Sequence, residues 1–359
     1  MKILIVNKTL QVGGAEQQLV KIATYLHGCG HKVSFLLYEK IGDLVNTIEK
    51  QNISIYTLPS KNLWNLSRYV RDFIQKGLYE SVVSFLPECN LLCVLASLPI
   101  KKWRLVTGAR SANPNFLRNK KLHLYYYSHI FSDKVISNSE TNKKDILYIV
   151  PWIKNKIEVV YNIIEPLVPI SEDCFVSQTS DKISLAIIAN YREVKNLKGL
   201  LLALTSMSDK FLQRLTVHWY GSEIDESKRK GIQFIKEKGL ERFIYLHGPI
   251  TNLSSVYQSM DVIGLFSHYE GLPNSICEAL MFGKPIICTP VSDLPYILRG
   301  SNNIICDSSD FYDIKKALEN LLSIDKSNLF KYGKDNKNKY SQLFDEVTIK
   351  EQIKNIICG

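Results

Sequence analysis

Long apolar runs are missing from this 359-residue sequence. A membrane-spanning helix needs about 20 mostly apolar residues; the longest candidate, 91–100, is about half that and reads as a buried helix. The opening MKILIVNKTL lacks the length of a signal-peptide core and a small-residue cleavage site, so it reads as a first strand and the expected compartment is the cytoplasm. There are eight cysteines (Cys29, Cys89, Cys93, Cys174, Cys277, Cys288, Cys306, Cys358) but no C-x-x-C pair, and most have apolar neighbours. Zinc sites and disulfide frameworks are therefore disfavoured, and small buried thiols are expected. The G-x-G-x-x-G fingerprint is absent, which argues against a nicotinamide or flavin enzyme. No D-x-D pair follows an apolar strand, so neither a metal site nor a cofactor is expected.

The length suits two domains of about 150–200 residues, and 45% hydrophobic with 22% charged residues is the composition of a folded, water-exposed chain. The formal net charge of +10 is lopsided. Residues 1–165 hold 22 Lys and Arg against 12 Asp and Glu, and the remainder holds 23 against 23. A basic first half, with Lys101, Lys102, Arg104, Arg118, Lys120, Lys121, Lys143, Lys144, Lys154 and Lys156, points to an anionic partner. No nucleic-acid motif accompanies it, so the expected partner is a phospholipid surface or a phosphorylated acceptor rather than nucleic acid. A merely solvated basic face is the plainer alternative.

Short β-branched runs alternate with longer amphipathic ones, the rhythm of doubly wound α/β folds. The predicted strands are 3–6, 33–37, 54–57, 81–85, 104–106, 134–137 and 158–161, then 183–189, 216–220, 244–246, 262–265, 285–288 and 303–306. The clearest helix, 15–27, gathers Leu19, Ile22, Ala23 and Leu26 on one face. Segment 165–181 (EPLVPISEDCFVSQTSD) is rich in turn formers and reads as a linker. The expected domains are 1–165, a linker at 166–181, 182–340, and a final helix at 341–359 returning toward the first domain.

The richest stretch is 267–285, SHYEGLPNSICEALMFGKP, after the apolar strand DVIGLF. A turn at Gly271, Leu272, Pro273 and Asn274 precedes a helix from about Ser275, with Asn274 or Ser275 as a plausible N-cap. Backbone N–H groups at that helix start suit a diphosphate. Glu270 and Glu278 flank the turn with seven residues between them. Carboxylates repel phosphate but accept hydrogen bonds from sugar hydroxyls, so the combination suits a nucleotide sugar.

The stretch resembles the Glu-x7-Glu signature of retaining glycosyltransferase family 4, with E-G-x-P at 270–273, E-A at 278–279 and G-x-P at 283–285. Further segments resemble the family in family order: GGAEQ at 13–17, VVYNIIE at 159–165, IANYREVKNLKGLLLAL at the start of the second half, and HGPITNLSSVYQSMDVIGLFS before the signature. The resemblance implies the GT-B fold: two facing Rossmann-like domains with parallel sheets and a cleft between them, acceptor on the first and donor on the second. It assigns Glu278 to the ribose and Glu270 to the transferred hexose. Amides around Gly271, Leu272, Pro273, Asn274 and Ser275 hold sugar and diphosphate. Arg192 and Lys195 neutralise the leaving nucleoside diphosphate, as fixed cations do where an anion develops; Lys198 is the rival to Lys195.

In the first half, Gly13 and Gly14 either bring backbone amides close to phosphate or acceptor or serve the turn's geometry. Arg110 and Ser111, in GARSANP, are candidate acceptor or sugar contacts. Many relatives keep a histidine near here that touches the transferred sugar; His123 and His129 lie close by within an aromatic helix, and neither is assigned to its position. The family implies retention of anomeric configuration, with no covalent nucleophile, and hexosyl transfer from a UDP- or GDP-sugar to a lipid-linked surface glycan at the inner membrane face. A GT-B epimerase and a non-catalytic GT-B scaffold are the alternatives.

Overall fold

Hexamers such as KILIVN and ISLAII become strands buried almost along their whole length, as expected of a parallel sheet covered on both faces. The computed structural model describes residues 1–11, 13–59, 62–110, 114–165, 182–250 and 252–359. These form two units, Met1–Ile163 with Glu346–Gly359, and Ile164–Asp345. The first sheet comprises β1 (Lys2–Asn7), β2 (Lys32–Leu37), β3 (Ser54–Thr57), β4 (Ser81–Ser84), β5 (Arg104–Ala109), β6 (Lys134–Ser137) and β7 (Ile157–Val159). Its order is β3-β2-β1-β4-β5-β6-β7, all parallel. The second comprises β8 (Ile183–Ile188), β9 (Leu215–Tyr220), β10 (Ile244–Leu246), β11 (Val262–Leu265), β12 (Ile286–Cys288) and β13 (Ile304–Ile305). Its order, β10-β9-β8-β11-β12-β13, is also parallel throughout.

Each order reverses direction once, between β1 and β4 and between β8 and β11. Loops leaving the carboxyl ends of those strands diverge and open a crevice, the usual ligand position in open parallel sheets. In the second unit β8 leads to Arg192 and Lys195, and β11 leads to Glu270.

The predicted strand 158–161 is shorter than expected, because β6 pairs only with Ile157–Val159. Val160 N–H still reaches Ser137 O (2.9 Å), and further on, at Ile163, the backbone is held by side chains. Buried Gln18 donates Nε2–H to Ile163 O (3.0 Å) and accepts Ile163 N–H (2.7 Å), while Lys21 Nζ donates to the same carbonyl (2.9 Å).

The Glu346–Cys358 helix buries Ile349, Ile353, Ile356 and Ile357 within the first unit. Its last carbonyls accept from Ser81 Oγ (to Ile357 O, 2.8 Å) and Arg104 Nε (to Ile356 O, 2.8 Å), which satisfies a helix end that has no intrahelical partners. Tyr25 Oη reaches Glu351 at 2.5 Å. In the second unit Gly283 takes φ +62°, and a Cβ on Gly333 would lie 2.1 Å from Gly283 O. That contact and the Asn336 Nδ2–H bond to Lys284 O (2.7 Å) clamp the Lys326–Leu343 helix onto the turn after the signature.

Among the described residues no helix is long and apolar enough to cross a membrane. Seven described cysteines are free and five are buried; Cys29 departs from expectation, exposed in the turn that ends the Gly14–Gly28 helix, and Cys358 is half-buried. Cys174 and the linker 166–181 lie outside the described residues.

Replacing Gln18 by Leu strands the buried Ile163 N–H and leaves its carbonyl to Lys21 alone, and is expected to destabilise the first unit by about 1–3 kcal/mol. Urea unfolding followed by tryptophan fluorescence measures it, since Trp103 is buried in that unit.

Candidate functional site

The loop after β8 is shaped before it is charged. Trp219 Nε1–H donates to Ala189 O (2.8 Å), and Gly221 passes so close that a Cβ there would lie 2.1 Å from the same oxygen. Arg192 is followed by a single 3-10 turn, Glu193–Lys195, which ends on Asn196 in the left-handed region (φ +62°). Asn196 tolerates that conformation and uses it. Its Oδ1 accepts Gly199 N–H (3.0 Å) to cap the Leu197–Thr205 helix, and its Nδ2–H reaches Ser309 O (2.9 Å). Gly199 is required there, because a Cβ would lie 2.4 Å from the Asn196 side chain.

This turn aims Lys195 at Glu270, Nζ to Oε1 at 2.5 Å, and Ser267 Oγ donates to the same oxygen at 2.6 Å. Both charged side chains are largely sheltered, 20% and 14% exposed. The two loops are stitched again where His268 N–H meets Val194 O (2.8 Å) and His268 Nδ1 lies 2.8 Å from Ser309 Oγ. Lys198, the rival cation, is exposed on the following helix. Arg192 is also exposed and lines an open pocket of about 410 Å³ with Val194, Asp225, His268 and Tyr269.

The signature helix runs Asn274–Met281 and its N-cap is Pro273, with no side-chain cap bond. Asn274 is thus the first helical residue rather than the cap, and Ser275 lies inside the first turn. Gly271, Leu272, Pro273 and Ser275 are buried, so it is mainly backbone that this segment can offer a ligand. Glu278, one turn in, accepts from Tyr257 Oη at 2.6 Å. Tyr257 is fully buried and stacked on Phe282 (ring centres 4.9 Å apart). Burial, then the Glu278 charge, pushes its phenol well above the ordinary value, so it remains a donor at neutral pH. Tyr257 escaped sequence reasoning although it sits in HGPITNLSSVYQSMDVIGLFS, one of the segments that carried the resemblance.

In the first unit Gly13 is the N-cap and Gly14 the first residue of its helix. A Cβ on Gly13 would lie 2.4 Å from Glu16 Oε2, so glycine leaves the carboxylate its place at the positive end of the helix. Arg110 follows β5 with its guanidinium 3.9 Å above the Phe85 ring and Nη1–H bonded to Asn162 Oδ1 (3.0 Å). Ser111 lies outside the described residues. His129 is buried, its Nδ1 2.8 Å from Thr107 Oγ1, and lines a pocket of about 140 Å³ with Arg110. His123 is half-buried, its Nε2 3.3 Å from Leu117 O.

Solved structures built the same way include named glycosyltransferases. HepE from Anabaena, solved with UDP, with UDP and glucose, and with UDP-glucose, superposes with TM-score 0.83 at 18% identity. The UDP complex is matched over 100% of both chains. WaaG, described as a glycosyltransferase involved in lipopolysaccharide biosynthesis, gives 0.78 at 13% identity over 100% and 99%. A curated relative from Campylobacter jejuni is 26% identical over 320 residues, 86% of this chain and 83% of its own. That protein is named GalNAc-alpha-(1->4)-GalNAc-alpha-(1->3)-diNAcBac-PP-undecaprenol alpha-1,4-N-acetyl-D-galactosaminyltransferase. The chain is accordingly a glycosyltransferase with the GT-B fold, made of two Rossmann-like units. More narrowly it belongs to glycosyltransferase family 4: residues 12–166 match the model described as Glycosyltransferase Family 4, and residues 182–323 the one described as Glycosyl transferases group 1.

Burial holds His129 neutral and pushes its pKa down to about 4. The unfolded value is near 6.5, so the stability this contributes is complete above about pH 6.5 and is lost as pH falls toward 4. Between pH 7 and 4.5 the wild type is expected to lose about 2–3 kcal/mol more than His129→Gln, read by urea unfolding at both pH values.

Proposed function

We propose that this transferase moves a hexosyl or N-acetylhexosaminyl group from a UDP- or GDP-sugar to a lipid-linked glycan, with retention of configuration, at the inner face of the cytoplasmic membrane. The observation that carries the reading is the convergence at the β8/β11 switch point. The Lys195–Glu270 pair, exposed Arg192 and the start of the signature helix all belong to loops leaving those two strands. Glu278 accepts ribose hydroxyl bonds, with Tyr257 fixing its second oxygen. Glu270, already neutralised by Lys195, accepts from hexose hydroxyls without repelling the diphosphate. Arg192 and Lys195 stabilise the diphosphate as the anomeric bond breaks and negative charge builds on the leaving oxygen. The departing phosphate takes the acceptor proton, so no side chain serves as a nucleophile and no metal or cofactor is required. The UDP complexes of HepE and the undecaprenol-linked substrate named for the Campylobacter relative support the donor and acceptor classes.

Thermal shift of wild type and Glu278→Ala with UDP, GDP, ADP and CMP tests the donor site. One nucleotide should stabilise the wild type, and Glu278→Ala should weaken it by about 1.5–3 kcal/mol. Stabilisation by none would favour the scaffold alternative, and turnover without a glycosidic product the epimerase.

Membrane docking rests on basic and apolar side chains exposed together on the first unit. Lys101 is excluded, being paired with Asp133 (2.9 Å), as is Lys156, which donates to Ile130 O and Ser132 O. Lys102, Arg118, Lys120, Lys144 and Lys154 are exposed, and so are Leu124, Phe131, Tyr148 (82%) and Trp152 (63%). Trp152 stacks on Tyr127 (ring centres 6.5 Å apart), which joins these two rings into one exposed apolar patch. Replacing Lys102, Lys120, Lys144 and Lys154 by Ala should weaken binding to phosphatidylglycerol vesicles by up to about 1 kcal/mol per lysine at low salt, and the difference should shrink at 1 M salt. Equal sedimentation of variant and wild type would refute the membrane role.

A further inference from the structure

We infer that the first-unit pocket seats an anionic group of the acceptor, a carboxylate or a phosphate, on the guanidinium of Arg110. The inference rests on the transferase reading and adds the acceptor's charge to it. Arg110 stands at the carboxyl end of β5, one strand from the β1/β4 switch point. It lines the 140 Å³ pocket with Ala15, Phe85, Asn90, Gly108 and His129.

Its bonding is half complete. Nη1 is committed to Asn162 and the guanidinium rests on Phe85, but Nε and Nη2 are buried and meet no hydrogen-bond partner. Those two nitrogens form one edge of the guanidinium. Their parallel N–H bonds match two oxygens of a carboxylate or phosphate, which is why arginine is favoured wherever such groups are held bidentately.

Nothing else in the pocket satisfies that edge. Among the described residues no Asp or Glu lines it. Burial alone lowers the Arg110 pKa, to about 9, with no carboxylate raising it, so the group is an uncompensated cation at neutral pH. Asn90 is occupied on both sides, donating to Gly108 O (2.8 Å) and accepting from Ser84 Oγ (2.7 Å). His129 is held neutral and bonded to Thr107. A buried cation without a counter-charge costs stability and persists where a ligand supplies the missing charge. Gly108 helps to build the site, because a Cβ there would lie 2.2 Å from the Phe85 ring that supports the guanidinium.

Calorimetric titration of the full chain, with UDP saturating the donor site, tests this using D-glucuronate, inorganic phosphate and glucose as probes. Wild type should bind at least one anion tenfold or more tighter than glucose. Preference for glucuronate would identify a sugar acid, and preference for phosphate a phosphorylated acceptor. Arg110→Met should lose that binding tenfold or more, and Arg110→Lys, which keeps the charge without the fork, should fall between. Arg110→Met should melt at or above the wild-type temperature, since it removes an unpaired buried charge, and should keep its thermal shift with UDP. Wild type binding neither anion better than glucose, or Arg110→Met binding both as tightly as wild type, would overturn the inference. Loss of the UDP shift from the wild type itself would instead sink the donor reading and leave the anion titration readable.

Discussion

The 2.5 Å contact between Lys195 and Glu270 joins two loops that leave neighbouring parallel strands and would otherwise diverge. As a stabilising device it is poor: two largely buried charges lose solvation that their attraction barely returns. Its value lies in placement. The surrounding hydrogen bonds act on backbone, fixing Val194 to His268 and Asn196 to Ser309, and so restrict where the ammonium and the carboxylate can stand. On the proposed function, a substrate anionic at one end and rich in hydroxyls at the other would meet a cation and an anion side by side, each prevented from repelling the wrong part of the ligand.

Glycines in the motif regions divide into different kinds of work. Gly199 and Gly221 exist because neighbouring atoms leave no room for a Cβ. Gly283, at φ +62°, belongs to the helix-packing contact with Gly333 and touches no part of the charged cluster. Conversely, Tyr257 carries no charge at neutral pH, yet it is the hydroxyl that orients Glu278. The chemistry of the site is therefore narrower than its signature, and the remainder of the signature is packing that holds the chemistry still.

The strands were legible because a parallel strand buried on both faces must be an apolar run; all but one of the predicted strands lie within two residues of an observed one at each end, and strand 104–106 runs three residues further, to Ala109. Strand 158–161 ends after Val159, and at Ile163 the Gln18 side chain, 145 positions away, bonds the backbone where a strand neighbour would otherwise stand. The N-cap at Pro273 was misread for a local reason: Asn and Ser are favoured caps in general, but here the chain enters helical geometry already at Asn274. Longer-range pairings stayed hidden. Lys195 meets Glu270 across 75 residues and Lys101 meets Asp133 across 32, and no period in the sequence encodes either. The buried edge of Arg110 was equally invisible, because it depends on Phe85 and Asn162 arriving from separate elements.

The Glu346–Cys358 helix has a consequence for how the molecule is made. It belongs to the first unit, yet the ribosome produces it only after the whole of Ile164–Asp345. Since domains fold as units during synthesis, the second unit can finish while the first still lacks its closing layer. Through that interval Ser81 and Arg104 have no helix carbonyls to meet, and the hydrophobic strip destined for Ile353, Ile356 and Ile357 faces water. The amino-terminal half of the chain, synthesised first, is the last to be complete.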